Sequence, residues 1–292
     1  MAKSIIKKTA AAVLVLIAVL ACAGGIYWQL NKERLREEYA AYRRTGAPVL
    51  MYHAVGPKVG IEWPDNLIMS EQLFESHLRY LKEHGYTIVS VEELAHRLEN
   101  NQDVDKYVAL SFDDGYKNNY THVLPLLKKY DAKASFFVIN KDIGDAIHMN
   151  RQEIREMIAA GMELGSHTTS HAPLALIDEK YLAWELATSR FYLKTNFDRY
   201  IVRTLAYPNG SYNSKVIEAA QKYGFYRALT GHVGLNTAET YKNAPMEMYR
   251  VTVADDGNGL DGFEKRLENA YFYGFLQTKG FDINVIRDLF VH

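Results

Sequence analysis

The sequence lacks the residues on which several kinds of chemistry depend. It has a single cysteine, Cys22, so the chain beyond it can form neither a disulfide nor a catalytic thiolate. Its 34 basic and 35 acidic residues nearly cancel, which leaves no excess positive charge for binding nucleic acid. Internal repeats and low-complexity segments are absent as well. The composition, 48% hydrophobic and 12% aromatic, is ample for one large core.

Only one long apolar run is present, and it lies near the start of the chain. Residues 10–28 carry no charge and follow Lys3, Lys7 and Lys8. Nineteen residues at helical rise span about 28 Å, close to the thickness of a bilayer core. The preceding lysines favour a cytoplasmic N-terminus. We therefore predict an uncleaved membrane anchor over residues 1–28, with the remainder of the chain outside the cytoplasm.

Two processed forms remain as alternatives to this anchor. Ala21-Cys22-Ala23 resembles a small-residue cleavage site, and residues 19–22 resemble a bacterial lipoprotein signal. In either case the exported domain would contain no cysteine, which fits an exported bacterial protein better than a small disulfide-stapled one.

Beyond the apolar run, two patterns follow one another. Residues 29–47 are charged and helix-favouring, which predicts a stalk. From residue 48 to 292, short apolar runs alternate with helical segments, which predicts one α/β domain with a (β/α) barrel of seven to eight parallel strands. A helix over 260–275 is expected to pack on its outside. The predicted strands are 49–53, 87–89, 107–112, 134–139, 162–166, 204–207, 226–230 and 249–253.

Several helix ends carry recognisable signals. Ser90 with Glu93, and Asn150 with Glu153, have the spacing of capping boxes. Glycines 85 and 161 stand where helices are expected to end.

Polar side chains follow the predicted strands, and these strand ends emerge on one face of a parallel barrel. We therefore expect residues that are far apart in sequence to converge there. They are His53 after the first strand, Asp113 and Asp114 after the third, His167 after the fifth, Pro208 and Asn209 after the sixth, and His232 after the seventh.

Two short motifs carry the chemistry: Ser111-Phe112-Asp113-Asp114-Gly115 and Ser166-His167-Thr168-Thr169-Ser170-His171. Asp-Gly is common in ordinary turns, and loop histidines are often merely solvent-exposed. Adjacent carboxylates after a buried run, however, repel each other unless a cation or a shared proton compensates. One carboxylate and two imidazoles form a three-ligand set suited to zinc, and the second carboxylate can serve as a base toward water. The motifs predict a metal-dependent hydrolase.

Taken together, residues 49–253 resemble the polysaccharide deacetylase family, also called the NodB-homology or family-four carbohydrate esterases. The family motif Thr/Ser-Phe-Asp-Asp-Gly corresponds to 111–115, and His-Ser/Thr-x-x-His corresponds to 167–171. The resemblance implies a distorted (β/α) barrel that removes acetyl groups from sugars with Zn²⁺, or with Co²⁺, Ni²⁺ or Mn²⁺. It also implies that Asp113 is the base and that Asp114, His167 and His171 hold the metal.

The chain departs from the family at two later motifs. In Arg-x-Pro-Tyr-Gly, Ala206 stands at the arginine position and Asn209 at the tyrosine position, where family members use the backbone N–H to stabilise an oxyanion. We expect Asn209 to supply that N–H. Arg250 either replaces the arginine in space or is a surface or structural arginine. The final Leu-x-His motif has no histidine here, so His53, ahead of His232, is our candidate for the general acid.

These departures resemble one subgroup, the poly-N-acetylglucosamine deacetylases of the intercellular-adhesin type. That resemblance implies a monomeric enzyme, attached to the membrane, that de-N-acetylates a β-1,6-linked polymer next to a polysaccharide synthase or export machinery. Candidate sugar contacts are Tyr116, Tyr207 and Pro208, followed by Trp63 and Tyr212. The alternatives are a peptidoglycan deacetylase, an acetylxylan esterase, a non-catalytic polysaccharide-binding module and, last, an iron oxygenase with the same ligand types.

Overall fold

The structure is a computed structural model that describes residues 22, 25, 29–57, 67–198 and 200–288, with side chains to residue 285. The chain divides into two units, Met1–Tyr42 and Arg43–His292. The predicted anchor lies outside the described ranges except at residues 22 and 25. Within those ranges, no helix has the length and apolar character needed to cross a membrane.

Helices and strands alternate through the second unit. The strands are β1 (Gly46–Ala47), β2 (Val49–Tyr52), β3 (Ala54–Val55), β4 (Ile68–Met69), β5 (Thr87–Val89), β6 (Tyr107–Phe112), β7 (Ser135–Val138), β8 (Glu163–Ser166), β9 (Thr204–Ala206), β10 (Arg227–Leu229), β11 (Asn236–Thr237) and β12 (Val251–Thr252). Residues 29–43 form α1. The later helices are α2 (Glu71–Glu83), α3 (Val91–Glu99), α4 (Leu124–Lys129), α5 (Arg151–Ala159), α6 (Glu179–Asn196), α7 (Ser214–Lys222), α8 (Ala238–Asn243), α9 (Gly259–Thr278) and α10 (Ile283–Asp288).

Eight strands form one parallel sheet, in the order β10-β9-β8-β7-β6-β2-β12 with β5 also paired to β6. The short segment around β12 bonds to both edges of this sheet. The Met248 N–H donates to the Ala228 carbonyl at 3.0 Å, and three residues later Val251 pairs with Leu50 of β2. The sheet is therefore curled, and the predicted α/β fold with parallel strands is confirmed.

All eight predicted strands are present, and most are one to three residues shorter than expected. The two-residue strands β1, β3, β4 and β11 were not predicted, because segments this short carry no periodicity. They lie outside the main sheet, where β1 pairs with β11 and β3 pairs with β4.

The concave side of the sheet is filled rather than open. One buried hydrophobic cluster joins Val49 of β2, Phe137 of β7 and Leu229 of β10 to Leu94 and Leu98 of α3. Strands near both edges of the sheet thus share a core with the same helix. Packing is close enough that a Cβ on Gly165 would lie 2.3 Å from the Phe137 ring. The space between these strands and α3 is therefore a packed core.

The predicted helix ends are present, with one difference. Asn150 and Glu153 form a complete capping box at α5, and Gly85 and Gly161 adopt positive φ after α2 and α5. At α3, Ser90 caps the Glu93 N–H, but the predicted box is incomplete there. The Glu93 carboxylate pairs with Arg97, one turn later, at 2.7 Å.

The predicted C-terminal helix is α9, and it packs against α2. Phe263, Leu267 and Tyr271 are buried along one side of it. The Phe263 ring stacks on the buried His77 ring of α2, with centroids 4.0 Å apart and planes 11° apart. Burial lowers the pKa of His77 from 6.5 to about 3.

This stack makes the stability of the fold depend on pH. Below about 6.5 the unfolded chain protonates at His77, whereas the folded chain resists protonation until about pH 3. Stability present above pH 6.5 is therefore lost as the pH falls through this window. The variant His77→Phe keeps a ring in the stack but has no group to titrate. Its free energy of unfolding should therefore fall less steeply with pH than that of the wild type, with a slope smaller by up to about 1.4 kcal/mol per pH unit.

Urea unfolding at pH 7, 6 and 5 measures this difference. His84→Phe, at the exposed end of the same helix, is the matched control and should keep the wild-type slope. Equal slopes for His77→Phe and the wild type would contradict the prediction.

Candidate active site

The turn after β6 brings two carboxylates to the C-terminal ends of the strands. Asp114 has φ 70° and Gly115 has φ 81°. A Cβ on Gly115 would lie 2.8 Å from the Val138 side chain, so glycine is needed for this close approach. Asp113 and Asp114 are 2% and 3% exposed, respectively. The Asp-Asp-Gly motif is therefore a tight turn that buries both acids.

The second motif forms a loop after β8, as predicted. Thr168 and His171 have φ values of 69° and 61°, which reverse the chain and bring the two histidine rings to 4.7 Å between centroids. The buried Glu185 of α6 accepts hydrogen bonds from the Thr169 and Ser170 N–H groups at 2.8 and 2.9 Å. Sequence reasoning missed Glu185, because nothing in the local pattern of α6 marks this acid as a support for a distant loop.

Asp114, His167 and His171 meet at one point. The Asp114 Oδ1 lies 3.5 Å from the His167 Nε2 and 3.6 Å from the His171 Nε2. Neither oxygen of the Asp114 carboxylate accepts a hydrogen bond of standard geometry from the described residues. Burial, then the charge of Asp113, raises the pKa of Asp114 to about 7, against a smaller opposing effect of the Tyr116 hydroxyl.

His167 is oriented as metal-bound histidines are. Its Nδ1 lies 2.8 Å from the Ala206 carbonyl, so Nδ1–H donates there and the Nε2 lone pair points toward Asp114. Burial lowers the pKa of His167 to about 3 and holds the ring in the neutral form that binds metals.

The three side chains fit a divalent cation. With ligand bonds of about 2.0–2.1 Å, the ligands of a tetrahedral zinc ion stand about 3.3 Å apart. The separations between Asp114 and the two histidines are close to that value. Within the described part of the chain, these residues form the one group of histidines and acids with this spacing.

Asp113 is paired with Arg250, which lies just before β12. The Arg250 Nη1 donates to both Asp113 oxygens at 2.8 Å, and its Nε donates to the Thr230 carbonyl at 2.8 Å. Burial raises the pKa of Asp113, but the charge of Arg250 and its hydrogen bonds outweigh burial, so the pKa lies below the usual value. An ionised carboxylate therefore lies directly beside the Asp114 cluster.

The two remaining histidines differ in their surroundings. His53 follows β2, and burial lowers its pKa while the charge of Asp113 raises it. Its buried Nδ1 has no hydrogen-bond partner among the described residues. His232 instead lies 3.4 Å from the Tyr212 hydroxyl and lines a cleft of about 370 Å³ together with Glu247. Of the two, His53 is the one that shares the electrostatic environment of Asp113.

The turn after β9 carries Asn209, at φ 55°. Asparagine tolerates this left-handed conformation better than most residues. The neighbouring Tyr207 is fully buried and Pro208 is buried as well. Half-buried Tyr212 stacks on Tyr207 at 4.9 Å between centroids, so Tyr212 is the outer ring of the pair.

The tyrosine of the first motif is also buried. Tyr116 is 2% exposed and stacks on His148 at 5.0 Å. Tyr116, Tyr207 and Pro208 thus leave no ring face open to a sugar in this structure, because core packing covers them. Trp63 lies outside the described residues.

Comparison with known proteins identifies the family. The polysaccharide deacetylase family profile matches residues 100–228. YxkH of Bacillus subtilis (strain 168), which is named as a member of these deacetylases, is 30% identical over 213 residues, covering 73% of this chain and 73% of that protein. The chain belongs to the polysaccharide deacetylase family. It is a hydrolase that removes acetyl groups from a polysaccharide.

Other relatives of this deacetylase are more specifically named. Poly-beta-1,6-N-acetyl-D-glucosamine N-deacetylase of Staphylococcus aureus is 28% identical over 178 residues, covering 55% of this chain and 61% of that enzyme. The solved structure of Streptococcus pyogenes deacetylase PplD with acetate has a TM-score of 0.69 at 28% identity, covering 77% and 99% of the two chains. IcaB from Ammonifex degensii has a TM-score of 0.64 at 26% identity, covering 76% and 97%.

The cluster predicts a specific metal stoichiometry. After removal of metal with a chelator and dialysis against Zn²⁺, the full-length protein should retain about one zinc ion per chain, measured by mass spectrometry. Asp114→Asn and His171→Ala each remove a ligand and should weaken retention by tenfold or more. His148→Ala is the matched control, because His148 pairs with Asp145 outside the cluster. Equal retention by all four proteins would exclude this site.

Proposed function

We propose that this polysaccharide deacetylase is a divalent-metal-dependent N-deacetylase of an extracellular β-1,6-linked N-acetylglucosamine polymer. One observation carries the proposal. Asp113, held ionised by Arg250, lies beside a buried cluster of one acid and two imidazoles with the spacing of a cation site. A base next to a cation site is the arrangement that amide hydrolysis by water requires.

Each residue has a part in the proposed reaction. A divalent cation held by Asp114, His167 and His171 would supply Lewis acidity toward the acetamide oxygen and toward water. Asp113 accepts a proton from the attacking water at a carboxylate oxygen, and Arg250 fixes the direction of that carboxylate. The Asn209 N–H donates to the oxygen that becomes negative when water adds to the carbonyl.

The departing nitrogen needs a proton before the C–N bond breaks. We assign its delivery to His53, because this ring shares the electrostatic environment of Asp113 and its Nδ1 has no competing partner among the described residues. Burial lowers the pKa of His53, and the charge of Asp113 opposes that effect. The products are acetate and a free amine on the sugar. His232 is the weaker candidate, since its ring already lies beside the Tyr212 hydroxyl.

The named relatives support the choice of polymer. The staphylococcal relative is named for β-1,6-linked poly-N-acetylglucosamine, although this chain spans less than two thirds of that enzyme's length. The apolar run near the N-terminus supports placing the reaction outside the cytoplasm, next to the machinery that makes or exports the polymer. Protection of the catalytic domain from protease added to intact cells would contradict that location.

Acetate release tests the reaction directly. The full-length protein in detergent should release acetate from β-1,6-linked N-acetylglucosamine oligomers. Acetate release should stop when a chelator is added and resume when Zn²⁺ is restored. Asp113→Asn keeps the side-chain shape but removes the base, and should lower kcat by about 10²- to 10⁴-fold.

Full activity of Asp113→Asn would overturn the assignment of the base. Peptidoglycan and acetylated xylan are the matched substrates, and faster release from either would transfer the proposal to that glycan. Tight binding of the β-1,6-linked polymer without acetate release from any substrate would instead indicate a binding module.

The ion pair predicts a second, separate effect. Arg250→Gln leaves Asp113 as a buried carboxylate without its cation, and should cost about 3 kcal/mol in the free energy of unfolding. It should also lower kcat by about 10- to 100-fold. Arg250→Lys retains the positive charge, so its stability and its kcat should lie between those of the wild type and those of Arg250→Gln. Arg203→Gln breaks only the half-exposed pair with Glu92 and should change both quantities little. Wild-type stability and kcat in Arg250→Gln would remove the arginine from the mechanism.

A further inference from the structure

A second buried arginine lies at the other end of the sheet. Arg227 is the first residue of β10, at the N-terminal strand ends, whereas the candidate active site lies at the C-terminal ends. It is 5% exposed. Its Nε and Nη1 are fully buried and have no hydrogen-bond partner among the described residues. A guanidinium in this state is uncommon, because desolvation of an unpaired charge costs several kcal/mol.

Neighbouring polar groups are already engaged elsewhere. Arg227 is in register with Thr204 of β9, but the Thr204 hydroxyl donates to Glu163 at 2.8 Å. Glu163 also accepts from the Glu92 N–H at 2.8 Å, and the Glu92 side chain pairs with Arg203 at 3.1 Å. Glu163 and Glu92 thus make these hydrogen bonds and this ion pair with groups other than Arg227.

Arg227 lines a cavity of about 480 Å³ between the C-terminal end of α3, helix α8 and the first residues of β9 and β10. Its lining includes three positively charged side chains, Arg227, Arg203 and Lys242, and one carboxylate, Glu99. Leu98 and Tyr241 supply an apolar wall that also belongs to the central core. The charge balance and the low-dielectric wall both favour an anion.

We propose that this cavity binds a compact oxyanion, a phosphate or a carboxylate, with Arg227 as its buried anchor. The planar guanidinium matches the oxygens of such groups through paired N–H donors. Arg203 and Lys242, at the exposed rim, add charge. An anion here would neutralise the buried Arg227 guanidinium, and would hold α3 and α8 against the strand ends. The site is separate from the deacetylation chemistry and does not depend on it.

Thermal unfolding of the full-length, chelator-treated protein tests the proposal. Chelation removes cations from the Asp114 cluster, where phosphate would otherwise bind. In a buffer whose only other anion is a bulky sulfonate, at constant ionic strength, inorganic phosphate and acetate are titrated separately. A saturable rise in Tm is expected with at least one of them, and the more effective ion identifies the oxyanion class.

Three variants separate this cavity from the rest of the surface. Arg227→Gln should weaken binding of the oxyanion at least tenfold, and Arg203→Gln should weaken it several-fold. His171→Ala, in the metal cluster, should leave the affinity for the oxyanion unchanged. Without added oxyanion, Arg227→Gln should unfold at the same or a higher temperature than the wild type, because it removes an uncompensated buried charge. A merely structural arginine would give the opposite result, a lower Tm with or without phosphate.

Crystals soaked in selenate give a readout that does not require a folded variant. Anomalous scattering should place selenium beside the Arg227 guanidinium. Water alone in the cavity, no saturable change in Tm, or an unchanged phosphate effect in Arg227→Gln would each overturn the proposal.

Discussion

The ion pair between Asp113 and Arg250 is the interaction on which the site depends. Arg250 lies between Met248, which bonds to β10, and Val251, which pairs with β2. The segment that joins the two edges of the sheet thus also holds the carboxylate of Asp113. Arg250 is itself anchored by the Thr230 carbonyl at the end of β10. The same short segment therefore bonds to β10 and β2 and fixes the direction of the Asp113 carboxylate.

Much of the fold could be predicted from local sequence patterns. The apolar runs that become β5 and β6 have the predicted bounds, since buried strands bounded by turn residues leave a direct mark on the sequence. Asn150 and Glu153, three residues apart, could be recognised as a cap for the same reason. At Ser90 the equivalent prediction was incomplete, because Arg97 competes for the Glu93 carboxylate. A rule based on residue spacing does not show that a side chain one turn later competes for the same carboxylate.

The parts of the site that lie within one short segment could be predicted from the sequence, whereas contacts between distant segments could not. The turn at 113–115 and the loop at 167–171 each carry their own glycine, acid or histidine pattern. Glu185 was missed because it supports that loop from a helix that is separate in sequence. Tyr116 and Tyr207 were candidate sugar contacts, and both rings are buried in this structure. Composition alone cannot distinguish a stacking surface from a packed ring. Deciding between them requires the three-dimensional neighbours.

At Ala206 and Asn209, which differ from the family motif, the group considered at the site is a backbone carbonyl or N–H. Ala206 replaces an arginine, yet its carbonyl accepts the His167 Nδ1–H, which any residue there could do. Asn209 replaces a tyrosine at a position whose proposed contribution is its N–H. The lost guanidinium has a counterpart in Arg250, which reaches Asp113 from another strand. Side-chain identity can thus drift at these positions without removing the polar groups that face the site.

The distance along the chain between Asp113 and Arg250, 137 residues, has a consequence for how the protein is made. A ribosome delivers Asp114, His167 and His171 well before it delivers the arginine. A partly synthesised chain therefore carries all three side chains of the candidate cation site while the neighbouring Asp113 still lacks its counter-charge. The ion pair with Asp113 can form only last, after Arg250 and the adjoining β12 have been synthesised.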